Sequence, residues 1–192
     1  MGVSVSLLVD LFSYLSIILH SLVIVAQSMT LGGLLFLIFL LQPLVYSLPK
    51  GDELLQRVVR MTRLSAFGLV LAELAATALQ VTVLMATVDL PLGNVLQAAF
   101  AVSGGVKVLS AALIFACLRQ RTLAGRVSRQ LLLLLGLIEL AAATVTTHAY
   151  ARLADNVLLL AVEGLHQFGT AIWIGAIPSF LLVLRHLQDA EG

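Results

Sequence analysis

The stretch that decides the fold is residues 17–46, which read IILHSLVIVAQSMTLGGLLFLIFLLQPLVY and contain no Asp, Glu, Lys or Arg. A transmembrane helix needs about 20 mostly apolar residues, and this stretch is long enough to cross a bilayer. Further stretches of this kind follow at 64–88, 95–118, 130–147 and 156–184. The sequence therefore predicts an all-α integral membrane protein, a bundle of about five transmembrane helices.

The composition of the whole chain supports a membrane location. Of its 192 residues, 60% are hydrophobic and 11% are charged, and the mean hydropathy is +1.08. Soluble domains are about 25% charged. A chain with so few charges cannot cover its surface with polar groups, so we expect most of that surface to face lipid.

The helices account for nearly the whole chain, which leaves little room for a soluble domain. We expect an apolar N-terminal extension at 1–16, either interfacial or continuous with the first helix. A five-helix transmembrane domain follows at 17–188, and a short cytoplasmic tail at 189–192. No Lys or Arg precedes the first apolar run, which argues against a secretory signal peptide.

The basic residues predict the orientation of the bundle. Cytoplasmic loops carry an excess of Lys and Arg. Two of the connections between predicted helices, and the C-terminal end, hold nearly all of these residues: Lys50, Arg57, Arg60, Arg63, Arg119, Arg121, Arg126, Arg129 and Arg185. We therefore expect the N-terminus outside the cell, the C-terminus inside, and a bacterial inner (cytoplasmic) membrane location.

Ionisable side chains inside the predicted helices are the first candidates for function, because such groups are costly in hydrocarbon. Glu73, Lys107 and Glu139 lie in the second, third and fourth helices, and Glu163 lies near the start of the fifth. We expect Glu73, Lys107 and Glu139 to face the interior of the bundle. A purely structural interpretation is that Lys107 pairs with Glu73 or Glu139 and holds the helices together.

Histidines form the second group of candidates. The predicted topology places His20, His148 and His166 toward the outer face, and neutral imidazole is a common ligand of copper and of haem iron. His186 follows the fifth helix beside Arg185, and we expect it to be solvated. Motifs of soluble enzymes are absent from the sequence, so we expect a transport or binding protein rather than an enzyme.

The C-terminal third resembles the CopD-type copper-resistance membrane proteins. The motifs that carry the resemblance are Thr147-His148-Ala149, Asp155, Leu165-His166, Trp173-Ile174-Gly175-Ala176 and Pro178. Compatible features of the first three helices are Leu31-Gly32-Gly33, Pro43, and Gly104-Gly105 ahead of Lys107. Thr147 stands where that family usually has Gly or Ser, and Ala176 where it usually has a second Gly.

The resemblance implies copper handling, by binding, transport or resistance, at a site near the periplasmic face. His148 and His166 are then the candidate copper ligands, with His20 as a third and Trp173 as a packing neighbour. Longer members of the family have further helices, so we expect a homo-oligomer or an additional membrane subunit. A periplasmic copper carrier, the copper ion and the lipid bilayer are the other expected partners, and no nucleic acid is expected.

The sequence leaves two alternatives to copper handling open. The HemJ-type protoporphyrinogen oxidases have a similar helical layout and bind haem b through a first-helix histidine and a lysine in a later helix. By that analogy His20 and Lys107 would hold haem b in a membrane subunit for electron transfer or porphyrin oxidation. The other alternative is a non-catalytic membrane subunit of a larger complex.

Overall fold

The protein is an all-α membrane bundle. A computed structural model describes residues 2–88, 90–119, 125–145 and 156–191, and no strand occurs among them. Five helices are long and apolar enough to cross a membrane, and we call them the first to fifth spans: Leu11–Ser47, Gly51–Val88, Ala99–Arg119, Val127–Val145 and Val157–Asp189. The predicted all-α fold with five long apolar helices is confirmed.

The helical elements run in chain order as follows. The first span lies within a continuous run of α1 (Gly2–Leu35), a π-helical segment (Phe36–Leu41), α2 (Gln42–Leu44) and a 3-10 turn (Val45–Ser47). The second is α3 (Gly51–Val88), and the short α4 (Leu92–Leu96) precedes the third, α5 (Ala99–Arg119). The fourth lies within α6 (Arg126–Val145). The fifth lies within a continuous run of α7 (Asn156–Thr170), a π-helical segment (Ala171–Gly175) and α8 (Ala176–Glu191).

Several helix ends differ from those that hydropathy predicts. The second helix begins at Gly51 rather than near residue 64, and its first turn carries Asp52 and Glu53. Carboxylates stabilise the positive end of the helix dipole, which a hydropathy pattern does not register. The first helix begins at Gly2 and is continuous through the predicted extension. The last helix continues to Glu191, into the residues assigned to a tail.

Two prolines explain the irregular helical segments. Proline lacks the backbone N–H that an α-helix needs, and its ring collides with the carbonyl group four residues earlier. Pro43 follows the π-helical segment Phe36–Leu41, and Pro178 follows the segment Ala171–Gly175. The wider turns place each proline without a collision, so these segments occur in the first and fifth spans.

Each span packs against the next, and the fifth packs back against the first to close the bundle. The first and fifth spans meet at Gly32 and Gly175. A Cβ atom on Gly175 would overlap the Ser28 carbonyl oxygen and would lie 3.1 Å from the Cα atom of Gly32. Small residues allow this approach, which is a common way for membrane helices to associate.

The arginines of the second span mark one end of the bundle, which we call the basic end; the other is the opposite end. The main apolar core lies toward the basic end and includes Leu37, Leu41, Leu54, Ile114 and Leu132. Large apolar side chains also cover the outside of every span, as expected for a surface that faces lipid.

Candidate functional site: interior charges and the histidines

A buried ion pair joins the second and third spans. The Nζ atom of Lys107 lies 2.7 Å from Oε1 of Glu73, and the two residues are 7% and 5% exposed. Gly104, one turn before Lys107, allows the helices to approach: a Cβ atom there would overlap the Thr77 hydroxyl and lie 3.3 Å from Glu73 Oε1. Of the two predicted partners of Lys107, the structure selects Glu73.

Glu139 extends this cluster to the fourth span. Its side chain is fully buried, and its Oε2 atom makes a short hydrogen bond with the Ser110 hydroxyl. That hydroxyl also lies 3.0 Å from the backbone carbonyl oxygen of Lys107. The charges of Lys107 and Glu73 both act on Glu139. The predicted interior position of all three ionisable residues is therefore confirmed.

The interior cluster, Glu73, Lys107, Glu139 and Ser110, links three consecutive spans. A further contact supports it, because the Ser103 hydroxyl donates to the Ala142 carbonyl oxygen at 2.5 Å. Two carboxyl oxygens of the cluster, Oε2 of Glu73 and Oε1 of Glu139, are buried without a hydrogen-bond partner among the described residues. Buried polar atoms normally have a partner, so these two atoms need an explanation.

The histidines toward the opposite end are both exposed. His20 lies in a part of the first helix, residues 11–22, whose side chains are mostly exposed. His166 is exposed in α7. Neither imidazole makes a hydrogen bond to any part of the chain that the structure describes. Among the described residues, nothing therefore occupies the ring nitrogens of either histidine.

A chain of polar side chains lies beside His166. Gln27 donates from Nε2 to Oε1 of Gln167 at 3.4 Å, and Gln167 donates from Nε2 to Oε1 of Glu163 at 2.9 Å. Glu163 and His166 are three residues apart, so their side chains are neighbours on one helix face. The half-buried Glu163 carboxylate and the His166 imidazole therefore lie on the same face of α7.

The same contacts separate the two exposed histidines in depth. Because Gln27 meets Gln167, His166 lies near the level of residue 26. His20 is then about 9 Å farther along the axis, at about 1.5 Å per residue. No group of three His, Cys, Asp or Glu side chains that could hold a metal occurs among residues 2–88, 90–119, 125–145 and 156–191. His148 lies outside those ranges, so the three-histidine site stays a prediction.

His186 is buried, so the prediction that it is solvated is wrong. It is 6% exposed, and its Nε2 atom lies 2.6 Å from the Pro49 carbonyl oxygen, to which the ring N–H donates. The first and fifth spans run in the same direction, so the end of α8 reaches the turn that follows the first span. This tertiary contact at the basic end explains the burial.

Trp173 lies away from the polar residues of α7. It is 76% exposed and lines an apolar groove of about 530 Å³ between the first and fifth spans, together with Phe36, Phe39 and Phe180. The groove-lining residues include no histidine and no charged residue.

In the haem alternative Lys107 would be a ligand of the haem iron. The structure instead places the Lys107 ammonium in an ion pair with Glu73.

Comparison of the chain with protein-family models, with curated proteins and with solved structures finds no match.

Proposed function

We propose that the protein handles copper in a bacterial inner membrane, by binding or transporting the ion. The observation that carries this proposal is the exposed His166 imidazole, free of hydrogen bonds to the described residues, with the Glu163 carboxylate on the same helix face. Imidazole is a copper ligand. The resemblance of the residues around His148 and His166 to the CopD-type proteins supports the same metal.

His148 and His166 are the ligands that we assign to the ion. His20 lies about 9 Å from His166 in depth at 1.5 Å per residue, so it enters the site only if the first helix moves. The interior cluster holds the second, third and fourth spans together, and the positively charged basic end faces the cytoplasm. In this arrangement copper arrives from the periplasmic side, from a carrier or as the free ion.

Copper binding by the purified chain in detergent tests the proposal. In this copper assay the parent protein and every variant carry Cys117→Ser. The single cysteine is a half-buried free thiol, which can itself bind copper. We expect one copper ion per chain, measured by competition with a chromophoric chelator. His166→Ala and His148→Ala should each weaken binding at least tenfold, since each removes a ligand.

His20→Ala is the matched control, because it removes the other exposed histidine of the described chain. We expect it to bind copper as the parent protein does. Undiminished binding by the His148→Ala, His166→Ala double variant would contradict the proposal. Circular dichroism of each variant checks that the helices are intact.

The absorption spectrum of the purified protein separates copper from haem. We expect no Soret band, because the Lys107 ammonium is paired with Glu73. A Soret band lost on His20→Ala would favour the haem alternative. Stable co-purification with other membrane proteins, with neither copper nor haem, would favour a non-catalytic subunit. Reporter fusions at the two termini test the expected orientation, N-terminus outside and C-terminus inside.

A further inference from the structure

The charges of the interior cluster do not balance. Lys107 brings one positive charge, while Glu73 and Glu139 bring two carboxyl groups. Glu73 takes the ammonium at 2.7 Å, and no other cation acts on Glu139 among the described residues. A buried net charge is strongly disfavoured in a membrane interior. One positive charge is therefore missing from the cluster.

The hydrogen bonds of Ser110 show where that charge belongs. Its hydroxyl has one hydrogen atom and two oxygen neighbours, the Lys107 carbonyl and Oε2 of Glu139. A carbonyl and an ionised carboxylate can only accept hydrogen bonds, so the single hydrogen cannot serve both fully. If Glu139 carries a proton, its O–H donates to Ser110, and Ser110 donates to the Lys107 carbonyl.

The surroundings of Glu139 contain few other titratable groups. Two charged groups interact electrostatically with its carboxyl group, Lys107 from the third span and Glu73 from the second. From the fifth span, Gly164 packs at the level of Thr144. The fourth and fifth spans run in opposite directions, so Glu139 is level with about residue 169, which places His166 about 4.5 Å and Glu163 about 9 Å away in depth at 1.5 Å per residue. The His166 side chain is exposed. The first span brings no Asp, Glu, Lys or Arg, and its titratable side chains, Tyr14, His20 and Tyr46, are all exposed.

We propose that the interior cluster is a proton-binding site and that the Glu139 carboxyl is the group that gains and loses the proton. The ammonium of Lys107 stays on Glu73 in both states. When the proton leaves, the Ser110 hydrogen turns from the Lys107 carbonyl to the Glu139 carboxylate. A single hydrogen bond between the third and fourth spans thus changes direction with the state of Glu139.

Infrared difference spectroscopy of the full chain in lipid nanodiscs tests this proposal, using copper-free protein. A protonated carboxylic acid has a carbonyl stretch well separated from the bands of a carboxylate. We expect such a band in the parent protein, and its loss in Glu139→Gln. Glu163→Gln is the matched control, because it neutralises a half-buried glutamate of the fifth span, and it should leave the band unchanged.

Two further variants distinguish proton binding from a merely structural role. Ser110→Ala removes the acceptor of the Glu139 proton, so the band should shift in frequency but remain. Glu73→Gln frees the Lys107 ammonium to neutralise Glu139, so the band should weaken at the same pH. Neither result depends on Glu139→Gln being folded.

A band that persists in Glu139→Gln, or no band in the parent protein at any pH at which it stays folded, would overturn the proposal. So would loss of the band when sodium replaces a large organic cation in the buffer, because the site would then hold a metal cation. The copper assay uses His148 and His166, so either proposal can fail without the other.

Discussion

Gly175 is the position of the fifth span at which an added methyl group has no space. In Gly175→Ala the new Cβ atom would overlap the Ser28 carbonyl oxygen and lie 2.6 Å from the carbonyl carbon of the same residue. Both are backbone atoms, which cannot turn aside as a side chain can. The first and fifth spans would have to separate where Gly32 and Gly175 now meet.

The size of the effect follows from these distances. Carbon atoms pack at about 3.5–4.0 Å, so the helices must move apart by roughly 1 Å, and such a gap loses a quarter to a half of each contact energy. Overpacking costs about 1–3 kcal/mol, and backbone contacts favour the upper value. The preference of a helix for Ala over Gly offsets about 1 kcal/mol. We expect Gly175→Ala to lower the free energy of unfolding by about 2 kcal/mol.

Gly169→Ala is the matched control, six residues earlier in the same span. Nothing lies within 4 Å of a Cβ atom at Gly169, so this variant should gain up to about 1 kcal/mol from helix preference alone. Unfolding in mixed detergent micelles can be followed by the reaction of Cys117 with a thiol dye. That residue is the single cysteine and packs half-buried against the apolar core. Equal stability of the two variants would refute the close crossing of the first and fifth spans.

Three further predictions concern the interior cluster and the basic end. In the same unfolding assay Gly104→Ala should be about 1–3 kcal/mol less stable than Gly105→Ala, because both gain the helix preference of Ala but only Gly104→Ala meets a neighbouring helix; equal stabilities would argue against this helix contact. Lys107→Met should cost about 3–5 kcal/mol because it strands the buried carboxylate of Glu73, and adding Glu73→Met should recover most of that loss. If the double variant is no more stable than the single one, the ion pair is not the cause. His186→Ala removes a part-buried hydrogen bond worth about 0.5–1.5 kcal/mol, so limited proteolysis in the turn between the first and second spans should become faster, and an unchanged rate would contradict that contact.

The histidines show why the candidate site was only partly predictable. Their residue type and their positions near helix ends can be read from the sequence, and these suggest a metal site. The depth of His166 relative to His20 depends on how the first and fifth spans slide along each other, which the contact between Gln27 and Gln167 decides. The burial of His186 depends likewise on the turn at Pro49, far away in the sequence.

The sequence by itself determined that five helices of the described chain are long and apolar enough to span a membrane, and that Glu73, Lys107 and Glu139 face inward. Hydrocarbon requires each spanning segment to satisfy its own backbone and to turn its ionisable groups away from lipid, and both requirements act on local sequence. Only the tertiary structure decided the partners. Lys107 could have paired with either carboxylate, and the close approach allowed by Gly104 selects Glu73 and leaves Glu139 to Ser110.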